Sequence, residues 1–321
     1  MITSSFEKFI SRTSLREITI GAEMEVYLIN CSSEPKLVRD YNLTKDIYEH
    51  FDERIYKNAQ EYQLEIRTNP SDDPNEVAKE MCNLMKQVGK IAKQYQCRIA
   101  PVGWIKDKYF EGSFCGLHIH IAPKHTQTER KEMVKLLLAI YPFIYTVARL
   151  SLSAPIIDSQ RNLYLSKRIL ESDSIGLPNL QNLDYLPDRY ADITINTNVR
   201  QGRERIKNVE TIEVRIFDPV GSSKCLEAII HAIYQLARKV RTDFVKDIIE
   251  KPSMYKTIQQ ARQNLIKPKL FVDPLTKLTP YQFLSHLNIK TYFSDSWIKY
   301  HFTNWLNIRN AEFHIRYSYP L

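Results

Sequence analysis

The stretch that decides the fold is Ile18-Thr-Ile-Gly-Ala-Glu-Met-Glu-Val-Tyr27, in which apolar and polar residues alternate. Successive side chains of a β-strand point to opposite faces, so the aliphatic residues share one face while Glu23 and Glu25 share the other. Carboxylates two residues apart on a strand lie close together and, without compensation, raise one another's pKa. The stretch therefore predicts a strand with one buried face and one face of unusual chemistry.

Four further runs have the same period of two and are predicted to be strands. They are Glu61–Arg67, Gly116–Ala122, Asp192–Asn198 and Glu210–Phe217. The positions opposite their aliphatic residues are Glu61, Gln63, Glu65, Arg67, His118, His120, Asp192, Thr194, Asn196, Asn198, Glu213 and Arg215. None of these positions is lysine, although the chain is rich in lysine, so a merely solvated sheet face is the weaker interpretation.

Three longer segments have apolar residues at helical spacing. The first opens at Asp73-Pro74, an N-cap followed by proline, and the second covers about Thr128–Leu152 with a bend at Pro142. The third begins after Ser222. Shorter helices are expected over Tyr281–Leu287 and Ser294–Leu306.

Helices and strands alternate without a regular βαβ rhythm, and no linker or internal repeat divides the chain. An α+β fold with a mainly antiparallel sheet therefore fits better than a doubly wound parallel sheet. We expect residues 1–321 to form a single domain.

Composition excludes several classes of function. The chain has only 8 glycines, and none is spaced for a dinucleotide fingerprint or a P-loop. The longest apolar run, Leu136–Ala148, is too short to span a membrane. Five cysteines without a C-x-x-C pair indicate free thiols in a reducing cytoplasm.

The chain is basic, with 45 lysines and arginines against 37 acidic residues. This surplus favours anionic partners. A nucleic-acid role is disfavoured, because the basic residues are scattered without an aromatic-interleaved stripe. The stretch Arg200–Arg205 fits a phosphate-contacting loop and a solvated basic loop equally well.

The polar face suits metal-dependent phosphoryl chemistry. Mg²⁺ and Mn²⁺ favour carboxylate ligands with an occasional imidazole, and such a cation would resolve the conflict between neighbouring glutamates. Arg67 and Arg215 would contact the anionic groups that the metals also bind, because the guanidinium fork matches phosphate and carboxylate oxygens. The combination favours chemistry on ATP. The pair His118-x-His120 also occurs in zinc hydrolases, but the sequence shows no further zinc-ligand motif beside it.

The order of the motifs resembles the type 2 glutamate–cysteine ligase family, a branch of the carboxylate–amine ligases. The resemblance spans about residues 17 to 218, with a weaker similarity at 261–265. Its motifs are Gly21-Ala-Glu-Met-Glu25, Gln63-Leu-Glu-Ile-Arg-Thr68, Gly116-Leu-His-Ile-His120, Leu150-Ser-Leu-Ser-Ala-Pro155, Ser166-Lys-Arg168 and Thr211-Ile-Glu-Val-Arg-Ile-Phe-Asp218.

This resemblance implies a glutamine-synthetase-like fold, in which an antiparallel sheet curves into a partial barrel with helices packed outside. It also implies ATP-dependent amide bond formation with Mg²⁺ or Mn²⁺, between a carboxylate and an amine that are amino acids or peptides. We expect no membrane association and allow for a homo-oligomer. A non-catalytic relative that binds a ligand or partner, and a metal-dependent hydrolase, remain alternatives.

The resemblance also implies roles for individual residues. Glu23, Glu25, Glu65 and Glu213 would be metal ligands, His118 would lie beside a metal and the ATP phosphates, and His120 would be a neighbouring contact. Arg215 would stabilise the transferring γ-phosphate, and Ser166 and Arg168 would lie near the carboxylate substrate or the phosphates. The alternation of the strands adds Arg67 and Asn196 as candidates on the same face. We thus expect Arg215, Arg67 and Glu213 to serve catalysis.

Overall fold

The computed structural model describes most of the chain up to residue 289. The described residues are 6–11, 13, 15–31, 36–51, 54–57, 62–105, 114–124, 130–152, 156–157, 163–164, 166–172, 175–177, 191–196, 200–201, 204–205, 210–265 and 278–289. The helix predicted over Ser294–Leu306 lies outside them. Among these residues, no helix combines the length and apolar composition needed to cross a membrane.

The described strands and helices intermix along the chain. The strands are β1 (Ile18–Asn30), β2 (Ile55–Lys57), β3 (Gln63–Arg67), β4 (Cys97–Ala100), β5 (Leu117–Pro123), β6 (Ile156–Ile157), β7 (Leu163–Tyr164), β8 (Ile193–Asn196), β9 (Arg200–Gln201), β10 (Glu204–Arg205) and β11 (Thr211–Phe217). The helices are α1 (Tyr41–Phe51), α2 (Pro74–Gln94), α3 (Arg130–Ile140), α4 (Ile144–Ala148), α5 (Lys167–Glu171), α6 (Ser223–Lys239), α7 (Val245–Glu250), α8 (Pro252–Leu265) and α9 (Pro280–His286).

One open antiparallel sheet organises the fold. Its strands lie in the order β2-β3-β1-β5-β11-β8, and β4 pairs with the C-terminal part of β1. Every pair in this sheet is antiparallel. The five predicted strands are confirmed as β1, β3, β5, β8 and β11, and they include the four central positions of the sheet. The expected α+β class is therefore confirmed.

The aliphatic face of the sheet packs against a layer of helices. The inward residues of the five strands, from Ile20 on β1 to Ile216 on β11, belong to one continuous buried core. Helices α2 and α6 pack against each other and against β1. Burial of this face supplies the main stabilisation, since apolar area contributes about 25 cal/mol per Å² removed from water.

The helix boundaries follow local capping chemistry. The Asp73 carboxylate accepts a hydrogen bond from the Asn75 amide at 2.9 Å, and Pro74 occupies the first turn of α2. Ser222 caps α6 in the same way through the Cys225 amide. The predicted bend at Pro142 is confirmed, because a 3₁₀ turn over Tyr141–Phe143 separates α3 from α4.

A smaller apolar cluster bounds the opposite face of the sheet. It contains Tyr27, Ile29, Leu37, Tyr62, Ala100, Val102, Ile105 and Cys115. By alternation Tyr27 shares a face with Glu23 and Glu25, so the polar face of β1 gives way to apolar packing just beyond Glu25. The polar chemistry is thereby confined to the middle of the sheet.

A buried ion pair ties the helices after residue 240 to the sheet. Arg262 on α8 donates to both carboxylate oxygens of Asp192, at 2.7 and 3.3 Å, and the Tyr145 hydroxyl donates to the same carboxylate at 2.8 Å. The backbone carbonyl of Asp192 accepts the amide of Arg215 at 2.8 Å. Helix α8 lies outside residues 17 to 218, over which the family resemblance extends. It nevertheless supports the N-terminal end of β8, where that strand lies beside β11.

Replacing Arg262 by methionine should destabilise the protein, and more so in alkaline than in acidic solution. Burial already raises the pKa of Asp192, and Arg262 opposes that rise. Without the arginine this pKa rises further, so stability is lost as the pH increases through the folded-state value. We expect a loss of about 3 kcal/mol near neutral pH, measured by urea denaturation.

The exposed pair between Lys246 and Glu250 provides the control, since Lys246→Met removes a cation that solvent already screens. If Arg262→Met is as stable as Lys246→Met in both acidic and alkaline solution, the buried pair does not hold α8 to the sheet.

Candidate functional site

The site lies on the polar face of the sheet, where strand register aligns charged residues from neighbouring strands. Glu23 on β1 stands opposite Arg67 on β3 and His118 on β5. Glu25 stands opposite Glu65. Directly opposed residues of an antiparallel pair have Cβ atoms about 5 Å apart. The pairing of β1 with both neighbours therefore places acidic and basic side chains in contact.

Strand β11 adds a second acidic position. Glu213 stands opposite His120 on β5 and opposite Thr194 on β8. Asn196 donates to Glu213 Oε2 at 2.8 Å, and Arg215 forms an ion pair with Glu213 Oε1. Glu213 is almost fully buried, so these two donors compensate a carboxylate that has little contact with solvent.

The three side chains of Glu23, His120 and Glu213 form a cluster able to hold a metal ion. Each offers one ligand atom, and these atoms lie within 4.8 Å of one another. The Nε2 atom of His120 is buried, lies 3.5 Å from Glu23 Oε1 and makes no hydrogen bond within the described residues. Two carboxylates and one imidazole are ligands that Mg²⁺ and Mn²⁺ accept. The residues present thus fit a divalent cation.

His118 lies beside this cluster rather than in it. Its Nδ1 atom is 3.2 Å from Glu213 Oε1 and 3.8 Å from Glu23 Oε2. His118 therefore contacts the same two carboxylates that the cluster uses. The cluster includes a ligand atom of His120, and the role of His118 as a metal ligand stays a prediction.

Charge compensation keeps the cluster ionised. Burial would raise the pKa of Glu23, but the charge of His120 and the contact with His118 outweigh burial and hold this pKa well below its usual range. Burial likewise opposes ionisation of Glu213, yet His120, His118 and Arg215 lower its pKa. Burial would lower the pKa of His120, but Glu23 and Glu213 raise it instead. The neighbouring basic side chains thus favour the ionised form of both carboxylates.

The remaining two glutamates lie next to the cluster. Glu25 Oε2 accepts the Gly116 amide at 2.7 Å, and Glu65 forms an ion pair with Arg67, which is also 3.3 Å from Glu23. Burial and the nearby charge of Glu23 raise the pKa of Glu65 to about 7. Glu25 and Glu65 thus share the polar face, and their role as metal ligands stays a prediction.

Ser166 and Arg168 lie at the edge of this face, with donors turned to the protein interior. Arg168 is fully buried and donates to the carbonyl oxygens of Arg215, Ile216 and Phe217 at 2.7 to 3.3 Å. There the pairing of β11 with β5 is irregular, so Arg168 satisfies carbonyls at a bulge. Both residues support the strand that carries Glu213 and Arg215, and direct ligand contact stays a prediction for them.

Asp218 is a buried residue at the end of the last family-like motif, and the sequence alone assigns it no role. It accepts the Ser166 hydroxyl at 3.0 Å, and its amide donates to the Ser151 hydroxyl at 3.2 Å. Three of the family-like motifs therefore meet at this residue. The sequence signal that could have identified Asp218 is a single acidic residue directly after the apolar pair Ile216-Phe217 at the end of β11.

The stretch Arg200–Arg205 is described only in part. Arg200–Gln201 and Glu204–Arg205 pair as a short antiparallel hairpin. The two residues between them lie outside the described residues, and a contact with phosphate stays a prediction.

Comparisons with known proteins show the fold. No protein-family model and no curated protein matches the sequence. Among solved structures, a bifunctional glutathione synthetase from Pasteurella multocida matches 94% of this chain with a TM-score of 0.56 and 10% identity. The match covers 49% of that protein, so this chain spans about half its length. A glutamate–cysteine ligase from Francisella tularensis, solved in complex with AMP, has a TM-score of 0.52 and 13% identity over 85% of this chain and 77% of its own. The fold expected from the motif order is therefore confirmed. At these low sequence identities, the likeness shows the fold alone.

The two motif glycines should differ in their tolerance of alanine. A Cβ atom at Gly116 would lie 2.6 Å from the Arg168 guanidinium and 2.7 Å from His118 Nε2, whereas at Gly21 its nearest neighbours are Pro70 atoms at 3.8 Å or more. We expect Gly116→Ala to cost about 2 kcal/mol in urea denaturation, because the buried Arg168 guanidinium would have to leave the carbonyl oxygens to which it donates. Gly21→Ala is the matched control and should leave stability nearly unchanged. Equal stability of the two variants would contradict the close approach at Gly116.

Mn²⁺ should stabilise the protein more at about pH 8 than at about pH 6. Glu65 and His120 have raised pKa values in the metal-free fold, so both hold protons at the lower pH that a cation must displace. As the pH rises through these values, the metal-free fold loses stability that the cation can restore. Thermal melting with and without Mn²⁺ at both pH values measures the difference.

Two glutamate variants provide the controls. Glu213→Gln should lose the Mn²⁺ effect, whereas Glu210→Gln, three residues away and paired with Arg130, should keep it. A shift in melting temperature of equal size at both pH values would exclude protonated ligands at the site.

Proposed function

We propose that the chain is an ATP-dependent carboxylate–amine ligase, with residues 1–321 acting as one catalytic domain. The observation that carries this proposal is the cluster of Glu23, His120 and Glu213, with Arg215 paired to Glu213 on the same sheet face. The shared fold with a glutamate–cysteine ligase and a glutathione synthetase supports it. One protein is a ligase by name and the other a synthetase, so fold and donor set favour the same class of reaction.

Glu23, His120 and Glu213 would hold a Mg²⁺ or Mn²⁺ ion, and Glu25 and Glu65 would hold another. Such ions neutralise phosphate charge and orient the γ-phosphoryl group of ATP when they are bound. Neighbouring residues orient the carboxylates. Asn196 and His118 contact Glu213, and Arg67 contacts both Glu23 and Glu65.

Arg215 would stabilise the charge that develops on the transferring phosphoryl group. It lies two residues beyond Glu213 on β11, and its backbone is fixed by Asp192 and Arg168. A guanidinium held in advance needs little rearrangement during reaction, which is the basis of electrostatic catalysis. Arg67 would act in the same way on the β3 side of the site.

The reaction would proceed in two steps. The substrate carboxylate oxygen forms a bond to the γ-phosphorus as the bond to ADP breaks, which gives an acyl phosphate. The amine then attacks the acyl carbon, phosphate leaves, and the nitrogen loses a proton to give the amide. Glutamate with cysteine is one substrate pair that the resemblance favours, and a peptide or modified amino acid fits the same chemistry.

Glu213→Gln should abolish metal-dependent ADP release while the fold persists. Glutamine keeps the shape of the side chain but removes the charge that the cation and the Arg215 guanidinium both need. The assay measures ADP release with Mg²⁺ or Mn²⁺ across pairs of amino acids, and mass spectrometry identifies the amide product.

Glu210→Gln is the matched control, because it removes a carboxylate from the same strand region outside the cluster. Unchanged turnover in Glu213→Gln would remove Glu213 from the metal site. Hydrolysis of a substrate by the wild type without ATP consumption would replace the ligase proposal with the metal-dependent hydrolase.

A further inference from the structure

Besides His120 Nε2, which belongs to the metal-ligand cluster, two buried polar atoms on the polar face have no partner within the described part of the chain. They are the Thr194 hydroxyl oxygen and Arg215 Nε. Thr194 is only 3% exposed. A buried hydroxyl or guanidinium N–H without a partner costs free energy, and native structures satisfy nearly all such groups. Unsatisfied donors that share one face therefore point to a group that binds there.

Strand register places both donors around Glu213. Thr194 stands directly opposite Glu213 on the neighbouring strand, and Arg215 follows Glu213 by two residues on the same face. Ile193 and Ile195, on either side of Thr194, lie in the apolar core, so the hydroxyl is on the polar face. Thr194 is on β8, which lies on the side of β11 away from β5 and β1.

The chemistry of the two donors indicates an anion. An O–H and a guanidinium N–H both donate, and the neighbouring acceptor Glu213 is already occupied by Asn196, His118 and Arg215. A group placed between these donors must therefore bring its own oxygen acceptors. A tetrahedral phosphoryl group next to a cation cluster has the required oxygens and charge.

We propose that the Thr194 hydroxyl binds a phosphoryl oxygen beside Arg215 and the cation held by Glu23, His120 and Glu213, so that it completes an oxyanion subsite with the Arg215 Nε donor of the proposed function. The nucleotide identity of this phosphoryl group rests on the proposed function, whereas the subsite itself rests on the two donors. Thr194 is then a ligand-binding residue. Threonine is common in strands because of its β-propensity, so its presence on β8 does not by itself indicate a ligand.

The chain contains a closely matched control. Thr146 on α4 is fully buried, and its hydroxyl likewise has no partner within the described residues. It lies in the helical layer rather than on the polar face. Replacing either threonine by valine keeps the size of the side chain and removes only the hydroxyl. Any effect of an unsatisfied hydroxyl on stability is therefore common to both variants.

The experiment measures binding of inorganic phosphate and of ATP by isothermal titration, each in the presence of Mn²⁺. Thr194→Val should bind both about tenfold more weakly than the wild type, as expected when one hydrogen bond to a charged group is lost. Thr146→Val should bind both like the wild type. Thr194→Ser restores the hydroxyl and should recover most of the binding. Without ligand, neither valine variant should melt below the wild type.

The outcomes separate this proposal from the proposed function. Weaker phosphate binding by Thr194→Val alone supports the subsite, even if no substrate pair stimulates ADP release and the ligase proposal fails. The subsite is overturned if the wild type binds neither phosphate nor ATP with Mn²⁺. It is also overturned if Thr194→Val binds like the wild type, if Thr146→Val loses as much, or if Thr194→Ser remains as weak as valine.

Discussion

The in-register pairing of β1 with β5 is the interaction on which the site depends, because it brings the Glu23 carboxylate against two histidines. Burial alone would drive this glutamate to its neutral form, and the neighbouring imidazoles reverse that tendency. A slip of one residue would turn Glu23 into the aliphatic core and Met24 into the site. The apolar face therefore specifies the register, and the register in turn assembles the polar cluster.

Much of the buried polar chemistry outside the cluster supports the strands rather than contacting a ligand. Arg168 satisfies the carbonyls of the β11 bulge, and Arg262 neutralises Asp192 beside the same strand. Such charges are costly to bury unless they are paired, and here the pairing fixes the backbone on both sides of Arg215. Positions near residue 168 and beyond residue 240 can therefore influence the site through backbone geometry.

Local signals predicted the central strands and the main helices. Alternation requires only neighbouring residues, and the caps at Asp73 and Ser222 require only the first turn of a helix. Helices α1, α7 and α8 were not predicted. For α7 and α8, which pack against α3 and α4 from a remote part of the chain, a local pattern carries no such information. The meeting of three motifs at Asp218 was also beyond prediction, because it arises from contacts across more than fifty residues.

By itself, the sequence determined which side chains share the polar face, since strand alternation is a local property. It also predicted a metal-and-phosphate type of donor set, because residue chemistry does not depend on the fold. Only the tertiary structure brought ligand atoms of Glu23, His120 and Glu213 within 4.8 Å of one another, with His118 in contact with Glu213. It alone distinguished Gly116, pressed against Arg168, from the more open Gly21. These differences depend on distances between strands and helices that are remote in sequence, and alternation along one strand carries no information about such distances.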